Sequence, residues 1–467
     1  LRHGYFVAPS TVHRGIRRLP AGHYAWIGDR GIASPTRWWC LPELTGERTG
    51  ENEATLAEEV GALLSDSVRL RTLGDVPAGA FLSGGLDSGA IVALLSRAVA
   101  HRVPAFTLAI GDAGMNEAED AARTARTFGC DHHIERLDDV RPEELDALFA
   151  AFGEPFADPS LLPTHRVARL AAGHVKYVLS GDGGDELFAG YAWLLREVRM
   201  RRLPAIVGRW ARRLSPLLRR GQRSARADVW GKALRWAGDL SVGPAQSFLR
   251  RRSLLDSTRL AELSGEALPS ATHPTPLEAF VLDRDASWET LLDLDRRFYL
   301  GGDILEKVDR ATMLHSLEAR VPFLDHRLVE CAARIPIEAH IGARGTGKTI
   351  LRRVIESVLP KELLQRPKRG FGLPVDRWLA GPLHAALRER LLDRRFLERG
   401  WLTPTAVDRL LEGQVSGRER NGHLLWALWS LAAWAEGHTM PGGSLAALES
   451  PRYNRALDSA PRSLAPV

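Results

Sequence analysis

One local pattern occurs twice in this chain and limits its fold more than any other feature: an apolar run that breaks into a glycine loop and resumes as an apolar helix. In GAFLSGGLDSGA (79–90) the apolar run stops at Ser83, and GAIVALLSRAVA follows with the look of a helix. HVKYVLSGDGGDELFAGY (174–191) repeats the order of strand, glycine loop and helix. Between them VPAFTLAI (103–110) reads as a further strand and EAEDAARTARTFG as the helix after it. Strands alternating with helices pair in parallel through right-handed crossovers. The pattern therefore predicts an α/β fold, a doubly wound parallel sheet. Both glycine loops fall at carboxyl ends of strands, where such sheets bind their ligands.

The residue types in the first loop suggest which ligand. Gly84 and Gly85 carry no Cβ, so backbone N–H groups can come close to a bound group. A helix begins just behind them, and its N-terminus favours anions. Ser83 and Ser88 add hydroxyl donors, and together these suit phosphate. Asp87 is out of place beside phosphate unless a cation lies between, and Mg²⁺ held by one or two carboxylates plus phosphate oxygens fits. The bland alternative is a tight strand-to-helix turn with a capping aspartate.

A second phosphate loop competes with the first. GARGTGKT (342–349) satisfies the G-x-x-x-x-G-K-[ST] pattern of P-loop nucleotide hydrolases. That pattern needs a buried strand feeding the loop and a later strand ending in a magnesium-binding aspartate. Here RLVECAARIPIEAHI precedes it as a helix and short connector, and helices follow. The context predicts no P-loop.

SGGLDS resembles the pyrophosphate-binding motif of the N-type ATP pyrophosphatases, and the surrounding chain resembles the synthetase domain of glutamine-hydrolysing asparagine synthetases. LSGDGGDELFAGY (179–191), KVDRATMLHSLEARVPFLDHRLVE (307–330) and RPKRGFGLPVDRW (366–378) continue the likeness in family order. GYFVAPSTVHRGIRRLPAGHY (4–24) is similar to the family's junction between glutaminase and synthetase domains. The resemblance runs from residue 4 to about 438. It implies a nucleotide-binding sheet of the HUP/ATP-pyrophosphatase type, a largely helical C-terminal half, and a two-step ligase reaction. The side-chain carboxylate of aspartate attacks the α-phosphorus of ATP, giving an acyl-adenylate and pyrophosphate. Ammonia taken from glutamine then displaces AMP to give asparagine. A related amidotransferase or cyclase, of β-lactam synthetase or peptide macrocyclase type, would use the same chemistry on another carboxylate.

The resemblance also implies roles. Asp87 and Asp185 match magnesium ligands; Ser83, Gly84, Gly85 and Ser88 match the pyrophosphate loop. Leu82, Leu108, Ser180 and Gly181 match positions that contact the adenylate, largely through backbone. Lys368, Lys348 and Asp182 match catalytic positions, Lys368 as a point charge suited to the α/β phosphate junction. Asp182 departs from the glutamate of better-studied members but keeps the carboxylate. Gly89 replaces a more usual serine, and no role is carried over to Asn116 or Glu117.

The remaining sequence sets boundaries. Residues 1–48 are expected to be the C-terminal end of a glutaminase domain, 49–440 the synthetase domain, and 441–467 a flexible tail. Full-length family members open with a nucleophilic cysteine that supplies ammonia from glutamine. This chain opens at Leu1, and a fragment is the favoured reading, with free ammonia or a borrowed glutaminase as alternatives. Cys40, Cys130 and Cys331 lie far apart without metal spacing, which suits a reducing, cytoplasmic setting. The longest apolar stretch, LLWALWSLAAWA (424–435), is too short to span a bilayer and reads as a buried helix. The net charge of +6 owes much to 196–226. That stretch is expected to be a solvated basic face rather than a nucleic-acid or membrane surface. A homodimer is compatible with the sequence.

Overall fold

The computed structural model describes residues 2–13, 15–29, 31–44, 52–111, 116–201, 213, 244–255, 257–264, 274–282, 287–342, 346–364 and 372–437. Its first strands are short. β1 (His23–Tyr24) pairs antiparallel with β4 (Thr36–Arg37), and β2 (Ile27–Gly28) with β3 (Gly31–Ile32). Ile27 and Ile32 stand exposed on them, and Trp26 and Trp38 beside them.

Helix α1 (Glu53–Arg71) follows as its 3.6-residue spacing predicts. Leu56, Val60, Leu64 and Val68 recur every fourth residue and are buried, while Asn52 caps the helix by accepting from Ala54 N. Then the doubly wound sheet begins. β5 (Ala78–Phe81), α2 (Leu86–Ala98), β6 (Pro104–Ile110), α3 (Ala118–Thr127), β7 (Asp131–Leu137), α4 (Pro142–Ala151), α5 (Leu161–Ala172), β8 (Tyr177–Leu179), α6 (Gly184–Leu187) and α7 (Ala192–Arg201) run in order. β9 (Glu318–Arg320) joins from far along the chain. The five strands lie in the order β7-β6-β5-β8-β9, and every pair is parallel.

Both sheet faces are covered, as parallel sheets require. Neighbouring residues on each strand enter opposite cores. Phe106, Leu108 and Val178 join one that includes Leu145 and Phe149 of α4 and Trp426 and Trp429 of the helix Gly422–Gly437. Ala78, Ala80, Ala105, Tyr177 and Leu179 join the other, with α1 and α2. The predicted buried helix at 424–435 is that Gly422–Gly437 helix. Two of its three buried tryptophans find acceptors for their N–H groups: Trp429 donates to Asp146 at 2.7 Å and Trp434 to the Gly153 carbonyl at 2.9 Å, whereas Trp426 Nε1 is buried without one. Among the described residues no helix is long and apolar enough to cross a membrane.

Beyond α7 the described residues are mostly helical, β9 apart, as expected. One irregular stretch is the π-helical segment Asp295–Ile304, which runs directly into the helix Leu305–Met313. The tail from 441 and most of the basic stretch 196–226 lie outside the described residues.

Candidate active site

The strand order locates the site before any side chain is considered. From β5 the chain winds outward through β6 to β7, then crosses back to place β8 on the other side of β5. The winding reverses between β5 and β8, so a crevice opens at their carboxyl ends. Both glycine loops leave the sheet there.

The loop after β5 is held by its own serines. Ser83 and Ser88 hydroxyls lie 2.9 Å apart, Ser83 N donates to Ser88 Oγ at 3.1 Å, and Gly85 N donates to Ser83 Oγ at 3.1 Å. Gly85 then caps α2 without any side-chain bond, which leaves the first-turn N–H groups of α2 without a side-chain cap. Gly84 is required by packing as much as by ligand approach. A Cβ there would lie 2.9 Å from Asp120 Cβ and 3.0 Å from Glu117 Cβ, and Gly84 N donates to Glu117 Oε2 at 3.2 Å. Leu82 N donates to the Phe106 carbonyl at 2.9 Å, and Thr107 Oγ1 donates to the Leu82 carbonyl at 2.7 Å. Leu82 therefore lies level with Thr107, one residue before Leu108, with its N–H committed to the sheet, and the Leu82 and Leu108 side chains enter opposite cores.

The loop after β8 leans directly on the first. Ser180 N extends the ladder to the Arg320 carbonyl at 2.9 Å, and its hydroxyl donates to Asp182. Gly181 lies so close that a Cβ would meet Ser88 N at 2.8 Å and the Asp87 carbonyl carbon at 3.0 Å. Gly183, in the left-handed region at φ 89°, turns the chain into α6, which carries Asp185.

Asp87 and Asp185 come together around one cation, and that cation is Lys348. Its Nζ bonds to Asp87 Oδ2 and lies 2.5 Å from Asp185 Oδ1. Burial works against the ammonium, but the two carboxylates outweigh it and hold it charged well above the ordinary lysine range. Lys348 belongs to the Walker-like segment, and the structure shows why that segment is no P-loop. Helix Ile337–Ile341 precedes it, helix Thr349–Glu356 follows, and no strand feeds it. Its backbone docks on the turn after α6 through Lys348 N donating to the Phe188 carbonyl at 3.1 Å. Lys368 lies outside the described residues, so its place in the site is not seen.

Burial raises Asp182 above the usual carboxylate range, against the pull of Ser180 and of the Lys307 charge. Lys307, on Leu305–Met313, is buried and donates to Asp158 Oδ2 at 2.8 Å and Ser160 Oγ at 2.7 Å. This acidic and cationic cluster behind Asp182 escaped the sequence reading. Asp158 and Lys307 lie 149 positions apart and neither sits in a glycine loop. Glu117, to which no role was given, touches the first loop, and the retained acid in its motif was the available signal.

No group of three or more His, Cys, Asp or Glu side chains forms a metal cage among the described residues. The two converging carboxylates fit a magnesium ion whose other ligands are phosphate oxygens and water.

Comparison with known proteins decides the family. The family described as “Asparagine synthase” matches residues 59–436. The chain belongs to the asparagine synthase family. A Mycobacterium tuberculosis (strain ATCC 25618 / H37Rv) protein named “Putative asparagine synthetase (glutamine-hydrolyzing)” is 35% identical over 450 residues, covering 92% of this chain and 65% of that protein. “Asparagine synthetase (glutamine-hydrolyzing) 1” of Bacillus subtilis (strain 168) is 28% identical over 436 residues, 91% of this chain and 66% of that one. “Amidase chyE” of Penicillium rubens is 25% identical over 453 residues, 88% of this chain and 66% of its own length. The chain thus spans just under two thirds of the length of these asparagine synthase relatives.

Proposed function

We propose that this protein is an ATP-dependent amide-forming ligase that adenylates the side-chain carboxylate of aspartate and passes the acyl group to ammonia derived from glutamine, yielding asparagine, AMP, pyrophosphate and glutamate. The observation that carries this reading is the meeting of two glycine loops at the β5/β8 crevice around Asp87 and Asp185, in a chain of the asparagine synthase family.

Each residue has a task in this reading. The first-turn N–H groups of α2, with Ser83, Gly84, Gly85 and Ser88, grip the pyrophosphate end of ATP, where helix polarity and hydroxyl donors favour anions. Asp87 and Asp185 are the residues that would hold magnesium, which when bound would supply charge neutralisation at the pyrophosphate end. Leu82 and Leu108 wall the nucleotide, and Ser180 and Gly181 position the α-phosphate end. Lys348, and Lys368 on its loop, bring positive charge to the phosphates. Asp182, kept basic by burial, stands where the amine attacks and can take its proton. Two anions must meet in the first step, so positioning and charge neutralisation supply most of the acceleration.

Residues 49–440 form the synthetase domain in this proposal. Residues 1–48 belong to a glutaminase domain, a reading supported by the exposed apolar side chains of Trp26, Ile27, Ile32 and Trp38 on and beside the small strand pairs.

Isotope exchange between labelled pyrophosphate and ATP in the presence of aspartate tests the reading. Exchange is expected in the wild type and absent in Asp87→Ala; undiminished exchange in that variant would remove the site. Product analysis after incubation with ATP, Mg²⁺, ammonium and a panel of carboxylic acids identifies the acceptor. AMP without asparagine would favour a cyclase or another amidotransferase.

A further inference from the structure

Asp87 and Asp185 have one seat between them, and the ammonium of Lys348 fills it. The chain is shaped to put it there. Lys348 takes a left-handed backbone conformation at φ 58°, rare for a residue with a side chain. Ala189, in the turn beneath it, does the same at φ 53°. Gly347 packs so tightly on that turn that a Cβ would lie 2.5 Å from the Ala189 carbonyl oxygen. A Cβ on Gly190 would collide with both Asp185 Oδ1 and Lys348 Cε. Two strained residues and two glycines at close contacts thus direct one lysine into a buried carboxylate pair, and strain of this kind gathers at functional sites.

A divalent cation seated between these two carboxylates would take the space that the Lys348 ammonium fills. The ammonium and the metal carry like charge, so the two cannot share the seat. Leaving it costs Lys348 two charged partners within a buried site, unless another anion takes their place. The phosphates of ATP are that anion.

We propose that Lys348 is an exchangeable resident of the magnesium seat. It neutralises Asp87 and Asp185 in the free protein, yields them when metal and nucleotide arrive together, and transfers its ammonium to the phosphates. This rests on the ATP-site reading above and adds to it a coupling. Metal alone competes with the lysine, whereas metal with nucleotide does not, so the two ligands bind with positive linkage and the linkage depends on Lys348. A lysine serving only as a fixed strut would leave metal binding without nucleotide indifferent to its charge.

The test is Mn²⁺ binding to the full chain, followed by the electron paramagnetic resonance of free Mn²⁺, with and without a non-hydrolysable ATP analogue. Without nucleotide, Lys348→Met is expected to bind one Mn²⁺ about a hundredfold more tightly than the wild type. Lys348→Arg, which keeps a cation, should show no gain. With the analogue present, the wild type is expected to close most of the gap. Lys348→Gln, which keeps hydrogen-bonding capacity, serves as second variant should the methionine protein fail to fold, and its melting temperature should rise on adding Mg²⁺ alone. Equal Mn²⁺ affinity in wild type and neutral variants without nucleotide would overturn the proposal. Nucleotide binding by the wild type is read in parallel. Its absence would refute the ATP site while the metal comparison still decides the seat, and normal nucleotide binding with equal Mn²⁺ affinities would refute the seat alone.

Discussion

Gly181→Ala is the smallest change that should disable the crevice. The added Cβ would lie 2.8 Å from Ser88 N and 3.0 Å from the Asp87 carbonyl carbon, where ordinary contact begins at 3.4 Å. The loops must then separate by about 0.6 Å, the difference between 3.4 and 2.8. Both opposing atoms are backbone atoms of the first turn of α2, and Ile91, Val92 and Leu95 anchor that helix in the core, so α2 cannot move aside cheaply. Overpacking of this kind costs about 1–3 kcal/mol. A displacement approaching 1 Å between groups that must align for reaction costs on the order of 10–100-fold in rate. Urea unfolding and pyrophosphate exchange measured on the same preparation separate the two effects. Gly301→Ala, where no heavy atom lies within 4 Å of the new Cβ, is the control and should equal or exceed wild-type stability, by up to about 1 kcal/mol for a helical Gly→Ala change. A Gly181→Ala protein with wild-type stability and wild-type exchange would show that the two loops do not bear on each other.

Other outcomes follow from the buried charges. Lys307→Met removes the partner of Asp158 and leaves that carboxylate in a dry site, so stability should fall by about 3–5 kcal/mol in urea unfolding and recover in part below about pH 5 as the acid protonates. Burial holds His340 down to about 4, packed 5.9 Å from the Phe188 ring, so it is neutral when folded but protonates near 6.5 when unfolded. Its contribution is therefore complete above about pH 6.5 and lost as pH falls toward 4, by up to about 3 kcal/mol. His340→Phe should flatten that part of the stability–pH curve. Asp182→Asn is expected to spare pyrophosphate exchange and to slow amide formation by about 10²–10⁴-fold, the usual worth of a general base; an equal loss in both steps would contradict its role at the second.

The sequence carried the sheet where the strands are central. VPAGAFLS, VPAFTLAI and HVKYVLS are apolar because both faces of a parallel sheet are buried, and each became a strand. β7 and β9 were not read. DHHIERL and EAR sit at the sheet's two edges, where one flank meets solvent and polar residues are tolerated, so no apolar run marks them. The same division holds at the site. Ser83 and Asp87 stand out through the odd chemistry around the first glycine loop, and Ser180, Gly181 and Asp185 through the likeness of the second to the family's motif; the structure brings these residues to one crevice. Asp158 and Lys307 were not, since their meaning arises only when α5 and the helix Leu305–Met313 pack together. Gly84 was read as room for a ligand, and its close approach to α3 adds a reason that no local pattern could reveal. The Walker-like segment shows the converse. Its pattern misleads about fold, yet its lysine reaches the carboxylates at the heart of the crevice.

The central claim is that a carboxylate oxygen bonds to the α-phosphorus of ATP and that pyrophosphate leaves. Aspartate carrying ¹⁸O in its side-chain carboxylate, incubated with the protein, ATP, Mg²⁺ and ammonium, traces that bond directly. Mass spectrometry should find one heavy oxygen in AMP, one retained in the amide product and none in pyrophosphate. Label in inorganic phosphate with formation of ADP would mean attack at the γ-phosphorus, and the account would be wrong.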